Sequence, residues 1–241
     1  METNTKSITH GLFAGISIGL GLLVFGLLLQ HGLESFKDKD RVVDVKGLSE
    51  REVKADRVIW PLMYKEIGDD LQAINTTIQS KNQAILAFLK ANGVSDDEIT
   101  LSSPEIVDMK ADRYATNNVV KYRYNVTSVI TIYSKKVDLV RKLMENPSEL
   151  IDKGIALTGE DYRYQKQFLF TGLNRIKPTM IEEATRNART SAIKFAQDSQ
   201  SKLGKIRSAD QGQFSITDRD ANTPYIKTIR VVTTVNYYLE D

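Results

Sequence analysis

Hydrophobic and polar positions divide the chain into one long apolar block followed by short stretches that are alternating or helix-periodic. The block, Gly11 to Leu29, reads GLFAGISIGLGLLVFGLLL and holds no charged residue. A run of this length can cross a bilayer as a helix, because roughly 20 residues rising about 1.5 Å each span about 30 Å. The pattern predicts an N-terminal tail over residues 1–10, a transmembrane helix over 11–31, a charged stalk over 32–41 and a folded domain over 42–241. The stalk includes the charge-dense ESFKDKDR of Glu34 to Arg41. A cleaved leader is the alternative. Its apolar core normally runs about 7 to 15 residues before a small-x-small site, and Gln30-His31-Gly32-Leu33-Glu34-Ser35 offers no convincing one.

Beyond the block, period-two alternation and helical periodicity take turns. Val42 to Gly47 has strand character and ends at Gly47. Val58, Trp60, Leu62 and Tyr64 alternate with Ile59, Pro61, Met63 and Lys65. Pro61 confines this second strand to an edge or a bulge, since proline cannot donate to a ladder. Asp69 to Asn92 reads as a helix with Leu71, Ile74, Ile78, Ile85 and Leu89 on one face and Gly93 at its cap. Ile99 to Val107 is a strand interrupted by Pro104, and Asp108 to Asn118 is a loop.

The clearest strand is Val119 to Tyr133, with Val120, Tyr122, Tyr124, Val126, Ser128, Ile130 and Ile132 on one face. A short helix from about Lys135 to Met144 is broken by Pro147, and a turn restarting at Ser148 ends at Gly154. Tyr162, Tyr164, Phe168 and Phe170 alternate as another strand. Pro178 to Leu203 is the longest helix. Its stripe of Ile181, Ala184, Ala188, Ala192, Phe195, Ser199 and Leu203 is rich in small residues that permit close packing on a sheet, and Gly204 stops it. Strands near Lys205 to Thr217 and Ile226 to Leu239 complete the chain, the second carrying Ile229, Val231, Thr233, Val235 and Tyr237 on one face. The order β-β-α-β-β-α-β-α-β-β predicts an α+β fold of mostly antiparallel sheet with helices packed on it, preceded by the transmembrane helix.

Composition removes several classes of function. Thirty-three basic and 31 acidic residues give a net charge of +2, which provides no field for nucleic acid. Cysteine is absent, which excludes disulfides, thiol catalysis, thiolate metal sites and a lipoprotein-type anchor. The two histidines, His10 and His31, bracket the apolar block. None is left in the folded domain for a Ser-His-Asp arrangement or a histidine zinc site. Oxidant sensing through a thiol is likewise ruled out, and the five methionines are the only readily oxidised sulfur.

Across nearly all of residues 42 to 241 the chain resembles the SIMPL-domain family of bacterial envelope proteins, often described as oxidative-stress defence proteins. The residues that carry the likeness begin with Val43-Asp44-Val45-Lys46-Gly47 and Ala55-Asp56-Arg57-Val58. They continue with Leu89 to Val94, Glu98 to Ser102, and Tyr122 entering the central strand. The ladder Ala184, Ala188, Ala192, Ala196 with Gly204, and the closing Val231, Thr233, Val235 and Tyr237, complete it. Ala55 replaces the family's usual proline, Ser49 a common second glycine, and Lys121 the glycine before the tyrosine. The resemblance implies an exported, membrane-tethered domain, ring assembly in some relatives, and no established catalytic residue. On charge alone, Lys6 before the span against Lys37, Lys39 and Arg41 after it leans toward a cytoplasmic C-terminal side. The short N-terminal tail and the resemblance point the other way, to a single-pass protein of the inner membrane with its domain in the periplasm or outside the cell membrane.

Candidate sites are few. Gly11, Gly15 and Gly19 recur every fourth residue and could let two helices approach in lipid, favouring a homo-oligomer; glycine is also simply common in such helices. Tyr122, Tyr124, Tyr162 and Tyr164, flanked by Lys121, Arg123, Arg163 and Lys166, form a candidate ligand face, with ordinary sheet packing as the alternative. Asp69-Asp70 and Glu182-Glu183 read as helix caps. The loop from Asp218 to Asn222 imitates a calcium site but has Thr223 at the sixth position and Ile229 at the twelfth, where glycine and glutamate belong. No catalytic residue, cofactor or metal is expected. Three functions stand in order: a self-associating structural or interaction protein, a tethered binding module for an unknown small ligand, and a carboxylate-dependent enzyme.

Overall fold

The computed structural model describes residues 15, 17–30, 41–111, 121–159 and 161–240. Its first helix, α1, covers residues 17–30. The span expected over 11–31 therefore lies only in part among the described residues, and Gly11, His10, His31 and the stalk before Arg41 lie outside them. Among the described residues no helix is long and apolar enough to cross a membrane. The described part of α1 rises about 20 Å, short of a hydrocarbon core of about 30 Å. The remaining chain is α+β and forms two compact units.

One unit comprises Arg51–Ile176 and Ser215–Ile229. Its sheet is built on β2 (Arg57–Gly68) and β5 (Tyr124–Ser134), which pair antiparallel from Val58 opposite Ser134 to Gly68 opposite Tyr124. β3 (Ile99–Leu101) and β4 (Glu105–Asp108) both pair with the far side of β5, separated by the break that Pro104 predicts. Period-two alternation places Val58, Leu62 and Tyr64 of β2, with Val126, Ile130 and Ile132 of β5, in one core. Helix α2 (Leu71–Ala91) covers them with Ile74, Ile78, Ile85, Phe88 and Leu89. Leu71, expected on that face, remains 37% exposed in the first turn. Asp70 caps α2 by accepting from the N–H groups of Gln72 and Ala73 at 2.8 and 3.2 Å. At the other end Gly93 takes φ +86°, where a side chain would be strained.

A polar cluster in this core is hydrogen-bonded internally. The single Tyr64 O–H lies between the Asn82 Oδ1 at 2.8 Å and the Ile78 carbonyl at 3.0 Å, and Ser128 Oγ donates to the same Asn82 oxygen. Burial pushes the Tyr64 phenol up, against the Ser128 hydrogen bond. α3 (Val137–Glu145) and α4 (Ser148–Asp152) follow, divided at Pro147 as expected. Two expectations fail here. β5 begins at Tyr124, so Tyr122 sits in the preceding bend, and Val119 and Val120 lie outside the described residues. Tyr162–Tyr164 is a 3-10 turn, not a strand, because Asp161 accepts the Arg163 N–H and bends the backbone. The strand that follows it, β6 (Gln167–Leu169), is short.

Pro61 is accommodated inside a central strand. β6 pairs only with Arg57–Ile59 of β2, and beyond it the Met63 carbonyl accepts from the Thr158 N–H at 2.8 Å. Strand parity sets the backbone groups of residue 61 on that same side, away from β5, where no ladder needs its missing donor.

The other unit comprises residues 1–50, 177–214 and 230–241. Its strands belong to a sheet of order β1-β9-β7, formed by β1 (Val42–Lys54), β9 (Ile226–Glu240) and β7 (Lys202–Gln211); β8 (Ser215–Asp218), which pairs with β9, falls in the Ser215–Ile229 segment described above. The predicted face of β9 is correct: Val231, Thr233, Val235 and Tyr237 are buried. Helix α5 (Leu173–Asp198) buries Met180, Ala184, Ala188, Ala192 and Ala196. It starts five residues before Pro178, which removes a single N–H near the helix start and does not begin the helix.

The expected stripe on α5 is half right. The alanines are buried, but Phe195 is 57% exposed and Leu203 belongs to β7. The helix ends at Asp198 because Gln200 turns with φ +55°. Gly204 therefore does not stop it; a Cβ there would meet Glu240 Oε1 at 2.7 Å and the Tyr238 carbonyl at 3.0 Å. Gly47 likewise does not end β1, which runs through it. A Cβ at Gly47 would fall 1.8 Å from the Ala184 carbonyl oxygen and 2.5 Å from the Ala188 nitrogen, so this glycine is where the alanine face of α5 lies directly on the strand. Because α5 begins early, Glu182 and Glu183 are well inside the helix and not at its cap. Glu183 accepts from Ser49 Oγ at 3.0 Å.

Candidate functional site

The four candidate tyrosines do not share one sheet face. Tyr122, 37% exposed, and Tyr124 lie where the chain enters β5; Tyr162, 82% exposed, and Tyr164 lie in the 3-10 turn. The flanking cations are as the sequence implies: Lys121 Nζ is 5.2 Å from the Tyr122 ring, and the guanidinium carbons of Arg123 and Arg163 are 5.0 and 5.3 Å from Tyr124 and Tyr164. Tyr162 lines a shallow polar hollow with Lys65, Asp161 and Arg163. Tyr164 lines something larger.

That feature is a cleft of about 620 Å³ beside Trp60. β2 supplies Trp60 and Pro61, at the stretch where the partial β6 ladder has ended. Met144 and Pro147 come from the α3–α4 junction, where proline breaks the helix. Leu157 and Thr158 are held to the sheet by the Met63 carbonyl, and Tyr164, Gln165 and Lys166 follow the turn. Pro224 completes the lining beside Tyr225, whose ring carries the Arg141 guanidinium at 3.5 Å and packs edge-on to Phe168 at 6.1 Å.

The turn that positions Tyr164 and Lys166 is braced electrostatically. Asp161 accepts from the Arg163 N–H at 2.9 Å and from its guanidinium at 2.7 Å, and the same guanidinium reaches Glu105 at 3.2 Å. The Arg163 side-chain bonds, then its backbone N–H, pull the Asp161 carboxyl down to about 2. In contrast, the polar side chains of the described cleft lining are unengaged. Among the described residues the Trp60 indole, Tyr164 hydroxyl, Gln165 amide and Lys166 ammonium have no hydrogen-bond or ion-pair partner. Thr158 Oγ1 is buried without a partner, a state that costs about 1–3 kcal/mol.

Of this cleft the sequence reading identified Tyr164 and Lys166 and missed Trp60 and Thr158. The only signal for Trp60 was a single tryptophan beside a strand proline, which a buried-core assignment absorbed. The other candidate groups are occupied by structural duties. Asp69 Oδ1 accepts from the Arg123 N–H at 2.9 Å. Asp220 folds the β8–β9 loop by accepting from the N–H groups of Asn222 and Thr223, both at 2.8 Å, and its carboxyl is drawn down to about 2, first by the Thr223 hydroxyl. Among the described residues no group of three or more His, Cys, Asp or Glu could hold a metal ion.

No curated protein matches the chain. The model of the SIMPL family, described as a protein of unknown function (DUF541), matches residues 43–237. That match spans both sheets and most of the sequence, and the chain belongs to the SIMPL family.

Proposed function

We propose that this chain is an exported, single-span SIMPL-domain protein of the inner (cytoplasmic) membrane. Its domain faces the periplasm or the outside of the cell membrane and self-associates as a non-catalytic structural or interaction protein that supports envelope integrity or stress defence. The observation that carries the proposal is α1. Its large apolar side chains, from Ile18 through Phe25 to Leu29, are all exposed, between 47% and 67%. A row of uncovered apolar side chains of this length calls for lipid or another copy around it. Gly15 and Gly19 have nothing within 4 Å of a built Cβ, which leaves room for a second helix backbone.

The test is the mass of the assembly in a mild non-ionic detergent, for the full chain and for residues 41–241. A discrete oligomer in the full chain that collapses to monomer in the shortened one assigns assembly to α1. An oligomer in both assigns it to the domain, and monomers in both end the self-association reading.

A second reading is a tethered ligand-binding module. The cleft beside Trp60 supports it, in place of the tyrosine-rich sheet face expected from the sequence.

A further inference from the structure

We infer that the cleft beside Trp60 binds a small amphipathic carboxylate, with Lys166 holding the carboxylate and Trp60, Pro61, Leu157 and Tyr164 holding an apolar body. The inference rests on the ligand-binding reading and names the class of ligand. The cleft's volume, about 620 Å³, is that of sites for small molecules. Its lining divides chemically. One part is apolar, contributed by proline, leucine and methionine side chains and the ring face of Trp60.

The other part is rich in donors and, among the described residues, contains no carboxylate. Lys166 is the one charged residue among the described lining residues. Nearby cations are already committed: Arg163 to Asp161 and Glu105, and Arg141 to Asp138 and Glu145. Lys166 has no such partner among the described residues. The Trp60 indole only donates, and the Tyr164 and Gln165 side chains can each donate as well. A ligand that complements this set brings acceptors and one negative charge. A single ammonium without an arginine fork is a point charge that complements one negative charge, and a monovalent carboxylate supplies it.

The chain carries its own reporter, since Trp60 is its only tryptophan. The experiment titrates the full chain, in a non-ionic detergent, with phenylacetate and octanoate and with their neutral amides, following tryptophan emission. The expected result is a saturable change for at least one carboxylate, at least tenfold weaker for its amide. Lys166→Gln is expected to weaken the carboxylate at least tenfold and leave the amide and the unfolding midpoint unchanged, because Lys166 is exposed. Equal binding of acid and amide, or no effect of Lys166→Gln, overturns the carboxylate assignment while leaving a cleft for neutral ligands. No saturable change with any of the four overturns both the assignment and the ligand-binding reading.

Discussion

At Gly47 a hydrogen in place of a side chain lets the backbone of α5 lie on β1, and a methyl group there would overlap the Ala184 carbonyl oxygen at 1.8 Å. Neither neighbour is the free end of a side chain, so the strand or the helix must move as a unit. Gly47→Ala is expected to destabilise the protein by at least about 2 kcal/mol, measured by denaturant unfolding, and a change under about 0.5 kcal/mol would contradict the close approach. Asp161 makes the contrasting case of a residue whose influence is electrostatic. Its carboxyl sits below its ordinary value of 3.8, at about 2, so its bonds to Arg163 favour the folded turn fully above 3.8 and are lost as pH falls through about 2. Tryptophan emission is therefore expected to report a rearrangement at the cleft on acidification through that window, and Asp161→Asn to show the altered emission already at neutral pH.

Elements were legible where the signal is local. Asp70 and Gly93 bound α2, Pro104 divides β3 from β4, and Pro147 divides α3 from α4, each through backbone chemistry within a few residues. α5 shows how that locality fails. Pro178 and Gly204 carry start and stop signals, yet the helix begins earlier and ends earlier, and the glycine serves a strand contact. The repeat of alanines was the better guide to its buried face than the large apolar residues beside it. Phe195→Ser is expected to change stability by less than about 0.5 kcal/mol, while Ala192→Leu, at a fully buried position, costs at least about 2 kcal/mol. Comparable losses for the two, in thermal or denaturant unfolding, would show that the helix face is assigned wrongly.

At the scale of the whole molecule, the apolar α1 and the family domain are separate propositions. If α1 and the preceding apolar residues anchor the chain, the full protein should sediment with membranes and resist carbonate extraction, and removal of residues 1–40 should release it. Full-length protein recovered in the soluble fraction would sink the anchor.

The alternation of β2, β5 and β9, the α2 face and its cap, and the α+β class follow from residues acting on near neighbours, so they could be read in chain order. The cleft could not. It joins Trp60, Met144, Thr158, Lys166 and Pro224, and what makes it a candidate site is that its polar side chains are unmatched among the described residues, which depends on everything packed around them. The same holds for the four tyrosines. Period-two spacing promised a shared face, but the Asp161 cap turned one pair into a 3-10 turn and left them apart. Periodicity reports which way a side chain points only while the backbone stays regular, and long-range packing decides where it stays regular and which distant groups then meet.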